Sequence, residues 1–73
     1  MADKNYIIVR FGHKVRMERE KRNLSQEKLA ELADVHRTYI GMIERGEKNI
    51  TLLNIEKLAS AFGLTLKQLL DFE

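Results

Sequence analysis

The sequence predicts an all-α fold, a compact bundle of five helices, and two observations carry this prediction. Apolar residues recur at helical spacing through most of the chain, and no segment alternates convincingly as a half-buried strand would. Four positions also share one start signal, in which an apolar residue precedes a capping residue and a second apolar residue follows five places on. This is the spacing of the hydrophobic staple, which fixes how a chain enters a helix. The predicted helices span residues 8–22, 26–33, 37–45, 52–62 and 66–71.

An apolar stripe of Ile8, Phe11 and Val15 marks the first helix. Arg19 continues this stripe, where a lone charge would be costly to bury. Glu44 lies in the same way on the apolar stripe of the third helix. We therefore expect Arg19 and Glu44 to form a structural ion pair between the first and third helices.

Residues 24–46 predict two short amphipathic helices and a turn so tight that it fixes their angle, a helix-turn-helix over about residues 25–45. The apolar side of its first helix comprises Leu29, Ala30 and either Leu32 or Ala33. The second has Ile40, Ile43 and Glu44 on one side and leaves on the other Arg37, Thr38, Gly41, Met42 and Arg45. A helix held out on a scaffold with a polar, partly basic face suits the major groove of DNA.

Capping signals bound the later helices. The starts of the second to fifth helices are assigned to Ser25, His36, Thr51 and Thr65. Gln68 completes a capping box with Thr65, and Gly46 and Gly63 fall where the third and fourth helices should stop. The predicted core face of the fourth helix comprises Leu52, Ile55, Leu58, Ala59 and Phe62.

Length and composition bound the class of protein. The 73 residues make one small domain, predicted as a single unit over residues 1–73, and 44% hydrophobic with 33% charged residues indicates a globular chain. Cysteine is absent, which excludes disulfides and thiolate metal sites. The apolar runs are far shorter than the roughly 20 residues needed to cross a bilayer, and the N-terminus has no signal-peptide pattern. We expect a cytoplasmic protein that does not bind membranes.

The formal net charge of +2 is weak support for a nucleic-acid partner, but the placement of the charge says more. Basic residues crowd the first helix at Lys14, Arg16, Arg19, Lys21 and Arg22. Others flank the third helix at Arg37, Arg45 and Lys48. The basic charge therefore leans toward the part of the chain that contains the helix-turn-helix.

An enzyme is the first alternative, and the sequence disfavours it. The chain has two histidines, His13 and His36, and its acids are scattered among lysines and arginines as on a solvated helical face. It has no glycine-rich phosphate loop, because Gly41 and Gly46 stand inside or at the end of a helix. A bundle of this size also has little room for a water-excluding pocket. We expect no enzymatic activity, no cofactor and no metal.

The residues that resemble a known family are spread over nearly the whole chain. They comprise the segment LSQEKLA, the apolar residues Val35, Ile40 and Ile43, the segment IERGEKN, and a fourth helix that ends in AFGL. From about Phe11 to Leu70 the sequence resembles the lambdoid-phage repressor and Cro family, the Xre-type helix-turn-helix domains, which implies a repressor-like bundle. The segment HRTYIGMIERGEKNITLLNIEKLA is similar to the controller proteins of restriction–modification systems, small homodimers that bind paired operator sites and time expression of the endonuclease.

The resemblance implies that the third helix is the recognition helix. It would contact DNA bases through Arg37, Thr38, Tyr39 and Met42, and the DNA backbone would be contacted by Gln26, His36, Arg45, Lys48 and Asn49. Arginine can bind both acceptors of guanine, a threonine methyl can touch thymine, and free amides at a helix N-terminus such as Gln26 suit a phosphate. Alternatives stay open: Arg37 as a solvated side chain, Met42 as a packing residue, and Tyr39 packed on the second helix or reaching a phosphate.

Two positions depart from the pattern of that family. Glycine is usual in the turn where Asp34 stands, a site that often needs a left-handed backbone. The usual cap of the third helix is Ser, Thr, Asp or Asn, whereas this chain has His36. A neutral imidazole could cap through a ring nitrogen, while a protonated one would oppose the helix dipole but attract phosphate.

Apolar residues remain after the core face of the fourth helix is assigned. They comprise Leu53, Leu66, Leu69, Leu70 and Phe72. The final helix, with under two turns, is unstable alone and must dock on the domain, on a partner or on both. Together with the habit of the family, this favours a two-fold homodimer that uses these residues, within about residues 50–73, as its interface. Two recognition helices would then reach successive major grooves, about 34 Å apart, on a near-palindromic operator.

The sequence therefore predicts a homodimeric, sequence-specific regulator of transcription that binds double-stranded DNA. Control of its own restriction–modification operon is the narrower expectation. Activation would need RNA polymerase as a further partner, for which acids such as Glu44 and Glu47 are too generic to be diagnostic. The alternative is an antitoxin-like protein-interaction module with secondary DNA binding. Antitoxins generally add a toxin-binding segment, and this chain ends within a few residues of its fifth helix.

Overall fold

The computed structural model describes residues 6–72, and within that range the chain forms five α-helices and no strand. They are α1 (Tyr6–Lys21), α2 (Gln26–Ala33), α3 (Arg37–Glu44), α4 (Leu52–Phe62) and α5 (Leu66–Leu69). The all-α prediction is confirmed, with α1 already helical before residue 8 and α5 ending before residue 71. Residues 1–5 and Glu73, which the single-domain prediction includes, lie outside the described range. None of the described helices is long and apolar enough to cross a membrane.

The four predicted N-caps are all present. Ser25, Thr51 and Thr65 each accept a hydrogen bond through the side-chain oxygen from the backbone N–H three residues on, at distances of 2.9, 3.1 and 3.1 Å. Gln68 accepts the backbone N–H of Thr65 in return at 2.9 Å, which confirms the capping box. The fourth cap, His36, belongs to the candidate site described below. Each such cap is worth about 1 kcal/mol, so together they set where four helices begin.

Left-handed residues follow four of the helices: Asn23 after α1, Asp34 after α2, Gly46 after α3 and Gly63 after α4. Asp34 has φ 57° after α2, and its backbone N–H bonds to the carbonyls of Ala30 and Glu31. Gly63 has φ 73° after α4, where glycine carries no steric penalty. The left-handed backbone expected at Asp34 is therefore present, and it sets the angle between α2 and α3. Asn23, with φ 58° after α1, is a further left-handed residue that the sequence did not suggest.

One apolar cluster holds the helices together. Its buried members are Phe11, Val15, Leu29, Ala30, Ala33, Ile40, Ile43, Leu58, Ala59, Phe62 and Leu69. The sequence analysis left Leu32 and Ala33 as alternatives for the apolar side of α2. Leu32 is 49% exposed whereas Ala33 is 2% exposed, so Ala33 is the core residue. Leu52 was expected in the core but is 75% exposed, so the buried side of α4 consists of Leu58, Ala59 and Phe62 with Ile55 packed against them. Gly41, expected on the outer face of α3, is buried against α2 beside Gln26.

Leu69 corrects the predicted dimer interface. Its side chain is fully buried in the core of its own chain, so it offers no surface to a second molecule. Leu64 ahead of α5 packs against the same core, as the staple spacing suggested. The short final helix therefore docks on the domain through Leu69. Phe72 also packs against the core of its own chain, and the centre of its ring lies 6.1 Å from that of Phe11.

A close approach of α1 and α3 occurs at Gly12. A Cβ atom placed there would collide with the backbone carbonyl of Ile43 and lie 3.1 Å from the carbonyl of Glu44. Glycine inside a helix costs up to about 1 kcal/mol relative to alanine, and here its lack of a side chain lets two backbones touch. This contact brings the C-terminal half of α1 alongside the end of α3.

Five basic residues in and directly after α1 are paired with acids. Glu18, which is 4% exposed, lies 2.7 Å from Arg22, 2.9 Å from Lys14 and 3.4 Å from Lys21. Burial alone would raise the pKa of Glu18, but hydrogen bonds from Arg22 and Lys14 outweigh it and lower the pKa to about 2. The remaining two form the pairs Arg16–Glu20 and Arg19–Glu44. Three carboxylates thus meet five cations, so the positive charge of this region is partly balanced within the fold.

Candidate nucleic-acid interface

The side chains of α3 divide between a buried and an outer face. Ile40, Gly41, Ile43 and Glu44 are buried, whereas Arg37 and Thr38 in the first turn are exposed and Tyr39 and Met42 are half-buried. The helix is therefore anchored through its second half and presents its first turn to solvent. A first turn with an arginine and a threonine is the part of such a helix that can enter a DNA groove.

The end of α3 is fixed by the predicted ion pair. Arg19 Nε lies 2.7 Å from Glu44 Oε2, and a second Arg19 nitrogen lies 3.1 Å from Glu44 Oε1. Arg19 also donates to the carbonyl of Leu24 at 2.8 Å, and Gln26 Nε2 donates to Glu44 Oε1 at 3.2 Å. The hydrogen bond that Arg19 donates to Glu44 raises the pKa of Arg19, because it stabilises the charged form. This network connects the last turn of α3 to α1 and to the start of α2.

Gln26 stands at the first position of α2, where it was expected to meet a phosphate. One hydrogen of its side-chain amide is used by Glu44, so the side chain is oriented by the fold. The first backbone N–H groups of a helix have no intrahelical acceptor and point outward. A shallow groove at this helix start is lined by Arg19, Ser25, Gln26, Glu27 and Arg37. The structure thus brings Gln26 and Arg37 to one polar depression.

His36 caps α3 through its imidazole. Its Nδ1 accepts the backbone N–H of Thr38 at 3.1 Å, which satisfies one of the free donors at the helix start. The ring is exposed, as is Arg37 next to it. The Arg37 guanidinium lies 4.0 Å from Glu27, an exposed pair of the kind that contributes little to stability. The residues at the start of α3 can therefore change partners at small cost.

Tyr39 makes a contact that the sequence did not suggest. Its hydroxyl accepts a hydrogen bond from Asn54 Nδ2 of α4 at 3.0 Å, and its ring packs against the core. Neither of the two alternatives left open, packing on α2 or reaching a phosphate, included this partner. Asn54 gave no sequence signal, because a lone asparagine in the first turn of a helix is an ordinary residue.

The loop between α3 and α4 carries the remaining predicted DNA contacts. Arg45, Lys48 and Asn49 are exposed. Arg45 Nε lies 3.1 Å from Glu47, and that hydrogen bond raises the pKa of the Arg45 guanidinium. Asn49 also lines the edge of an apolar groove, so it lies between two surfaces.

That apolar groove lies on another part of the surface. Its volume is about 160 Å³, and its lining residues are Ile7, Ile8, Phe11, Asn49, Ile50, Ile55, Leu70 and Phe72. Leu53, Leu66 and Leu70, three of the predicted interface residues, are 63%, 40% and 44% exposed. Ile7 in the first turn of α1 and Leu52 are further exposed apolar residues that the sequence analysis did not assign to an interface. Among the described residues, no cluster of histidine and acidic side chains could hold a metal ion.

Comparison with known proteins identifies the class. The family model described as helix-turn-helix matches residues 15–69, so the chain belongs to the helix-turn-helix family, whose members are DNA-binding transcription regulators and not enzymes. The control protein C.BamHI of Bacillus amyloliquefaciens is 56% identical over 69 residues, which cover 93% of this chain and 85% of that protein.

Two solved structures agree with this assignment. The restriction–modification controller protein C.AhdI from Aeromonas hydrophila is 44% identical with a TM-score of 0.83, over 85% of this chain and 94% of that one. SinR, a master regulator for biofilm formation, was solved in complex with DNA and is 29% identical with a TM-score of 0.78, over 84% of this chain and 98% of that one. The chain is therefore a helix-turn-helix transcriptional regulator similar to restriction–modification controller proteins.

Proposed function

We propose that the protein is a homodimeric, sequence-specific regulator that binds a near-palindromic operator and controls its own restriction–modification operon. The observation that carries the DNA-reading part is the exposed first turn of α3, with Arg37 and Thr38 outward, on a helix whose far end is held by Glu44. The similarity to controller proteins supports the proposed operon.

The exposed face of α3 would contact DNA bases, and the residues around it would contact phosphates. Arg37 would pair with guanine and Thr38 would touch thymine, with Tyr39 and Met42 alongside them. Contacts to phosphates would come from Gln26, His36, Arg45, Lys48 and Asn49, and these would contribute affinity more than sequence choice. The exposed cations near α3, namely Arg37, Arg45 and Lys48, would contribute to the salt-dependent affinity.

The apolar groove and the exposed leucines beside it would form the dimer interface. Leu53, Leu66 and Leu70 stand out as exposed apolar side chains, with Ile7 and Leu52 added by the structure. A cluster of this kind on a small domain is more often an interface than an isolated surface feature. A two-fold axis through it would present two copies of α3 to one face of a duplex. Activation of transcription would need a further contact with RNA polymerase.

Titration of the purified protein into the DNA upstream of its own gene tests the proposal. We expect a complex in gel mobility assays that survives excess random DNA and weakens steeply with salt. Footprinting of this complex would give the operator. Equal affinity for random DNA would refute sequence-specific control. Absence of any DNA complex would favour the alternative of an antitoxin-like protein-interaction module.

A further inference from the structure

The hydrogen bond between Tyr39 and Asn54 joins the first half of α3 to α4. Asn54 Nδ2 donates to Tyr39 Oη across 3.0 Å, and both side chains are half-buried. The backbone N–H of Asn54 is itself held by Thr51 Oγ1 at 3.1 Å. The donor therefore sits on a capped helical turn whose position is fixed independently of α3.

The two ends of α3 are held in different ways. Its last turn is fixed by Glu44, which accepts hydrogen bonds from α1 and α2. Its first turn has the exposed Arg37–Glu27 pair at 4.0 Å, which is too weak to orient a helix. Tyr39 follows directly on Arg37 and Thr38, so the contact of its hydroxyl with α4 sets how the first turn is rotated about the helix axis.

We propose that Asn54 is a positioning residue for DNA recognition. By holding Tyr39 it fixes the first turn of α3 at the angle from which Arg37 and Thr38 reach base edges. This inference rests on the proposed role of α3 in reading DNA. Functional groups of this kind must be held to within about 0.5 Å, and a directional hydrogen bond adds to the apolar packing of Tyr39 and Ile40 in fixing that turn.

A double-mutant cycle on the full chain tests the inference. The probes are a duplex that the wild-type protein selects from a random-sequence pool and a scrambled duplex of the same composition. We expect Asn54→Leu to lower the affinity for the selected duplex roughly fivefold, the effect of one net hydrogen bond, and to leave the affinity for the scrambled duplex unchanged. In a Tyr39→Phe background the same change should alter affinity by less than about twofold, because its partner is already absent. Asn54→Ala repeats the test without added apolar bulk, and Ser60→Ala is the control at an exposed position of the same helix.

A measurement without DNA accompanies the cycle. The NMR chemical shift of the Tyr39 ring carbon that bears the hydroxyl should move in Asn54→Leu and Asn54→Ala and stay in place in Ser60→Ala. An unmoved signal, an equal loss of affinity for both duplexes, or an undiminished effect in the Tyr39→Phe background would each overturn the positioning role. A wild-type chain that selects no sequence would refute the proposed function and this inference with it. Sequence selection that survives intact in Asn54→Leu would refute this inference alone.

Discussion

The ion pair between Arg19 and Glu44 allows a stability prediction to be worked through. Glu44 is 8% exposed and accepts two hydrogen bonds from Arg19 and one from Gln26. Glu44→Ala would remove all three and strand the Arg19 guanidinium, whose side chain is 13% exposed. Breaking such a pair costs about 3–5 kcal/mol, and Arg19 keeps its bond to the carbonyl of Leu24, so we expect the lower value of about 3 kcal/mol.

Urea unfolding followed by circular dichroism would measure this change. A chain of this length has a total stability on the order of 5 kcal/mol, so Glu44→Ala should lower the midpoint by more than half at an unchanged slope. The matched control is the double variant Arg19→Met with Glu44→Leu. It replaces both charges by apolar groups and should lose much less stability than Glu44→Ala, since no charge is left unpaired. A midpoint for Glu44→Ala that equals the wild-type value within error would refute the reasoning.

Four further predictions follow from single contacts. The pKa of Glu18 is lowered from 4.5 to about 2, so its ionised form stabilises the fold by up to about 3 kcal/mol above pH 4.5. This contribution should vanish as pH falls through 2. Acid unfolding of Glu18→Gln should lack that pH dependence, and unfolding curves that run parallel for the two proteins would contradict this expectation. Leu53→Glu should shift sedimentation toward the monomer and weaken operator binding, whereas Leu32→Glu, at a comparably exposed leucine away from the groove, should do neither. Gly12→Ala should lower the thermal midpoint despite the better helix propensity of alanine, because the added methyl collides with the backbone of α3, and a raised midpoint would refute the close approach. His36→Ala, which removes the cap on the N–H of Thr38, should destabilise the fold by about 1 kcal/mol in urea unfolding, whereas His36→Asn, which can still cap, should keep most of that stability; equal losses would contradict the capping role.

The helices were predictable from the sequence because their boundary signals are local. A cap and its target N–H lie two or three residues apart, so Ser25, Thr51 and Thr65 are legible without any tertiary information. The pair of Arg19 and Glu44 was also legible, since each charge interrupts an apolar stripe and has few other partners. The position of each charge on the apolar stripe of its helix was therefore enough to predict an ion pair between two helices.

The errors arose where tertiary packing decides. Leu52 shares helical spacing with the core residues of α4 and yet is 75% exposed, and spacing alone cannot show which positions of an apolar stripe another helix covers. Leu69 was taken for surplus apolar surface, although the final helix needs it to dock on its own chain. Gly12 and Asn54 act through contacts with other helices, and neither belongs to a local pattern.

The first turn of α4 faces two directions at once. Leu53 projects into solvent, and its neighbour Asn54 bonds to Tyr39 of α3. If two copies pair through the apolar groove and Leu53, each copy would stiffen the first turn of α4 in its partner. Asn54 on that turn is the residue that holds Tyr39 of α3. Thermodynamic reciprocity then requires that operator DNA strengthen self-association by the factor by which self-association strengthens DNA binding. Occupancy of the operator would rise more steeply than in proportion to protein concentration, which gives a sharp threshold as the protein accumulates.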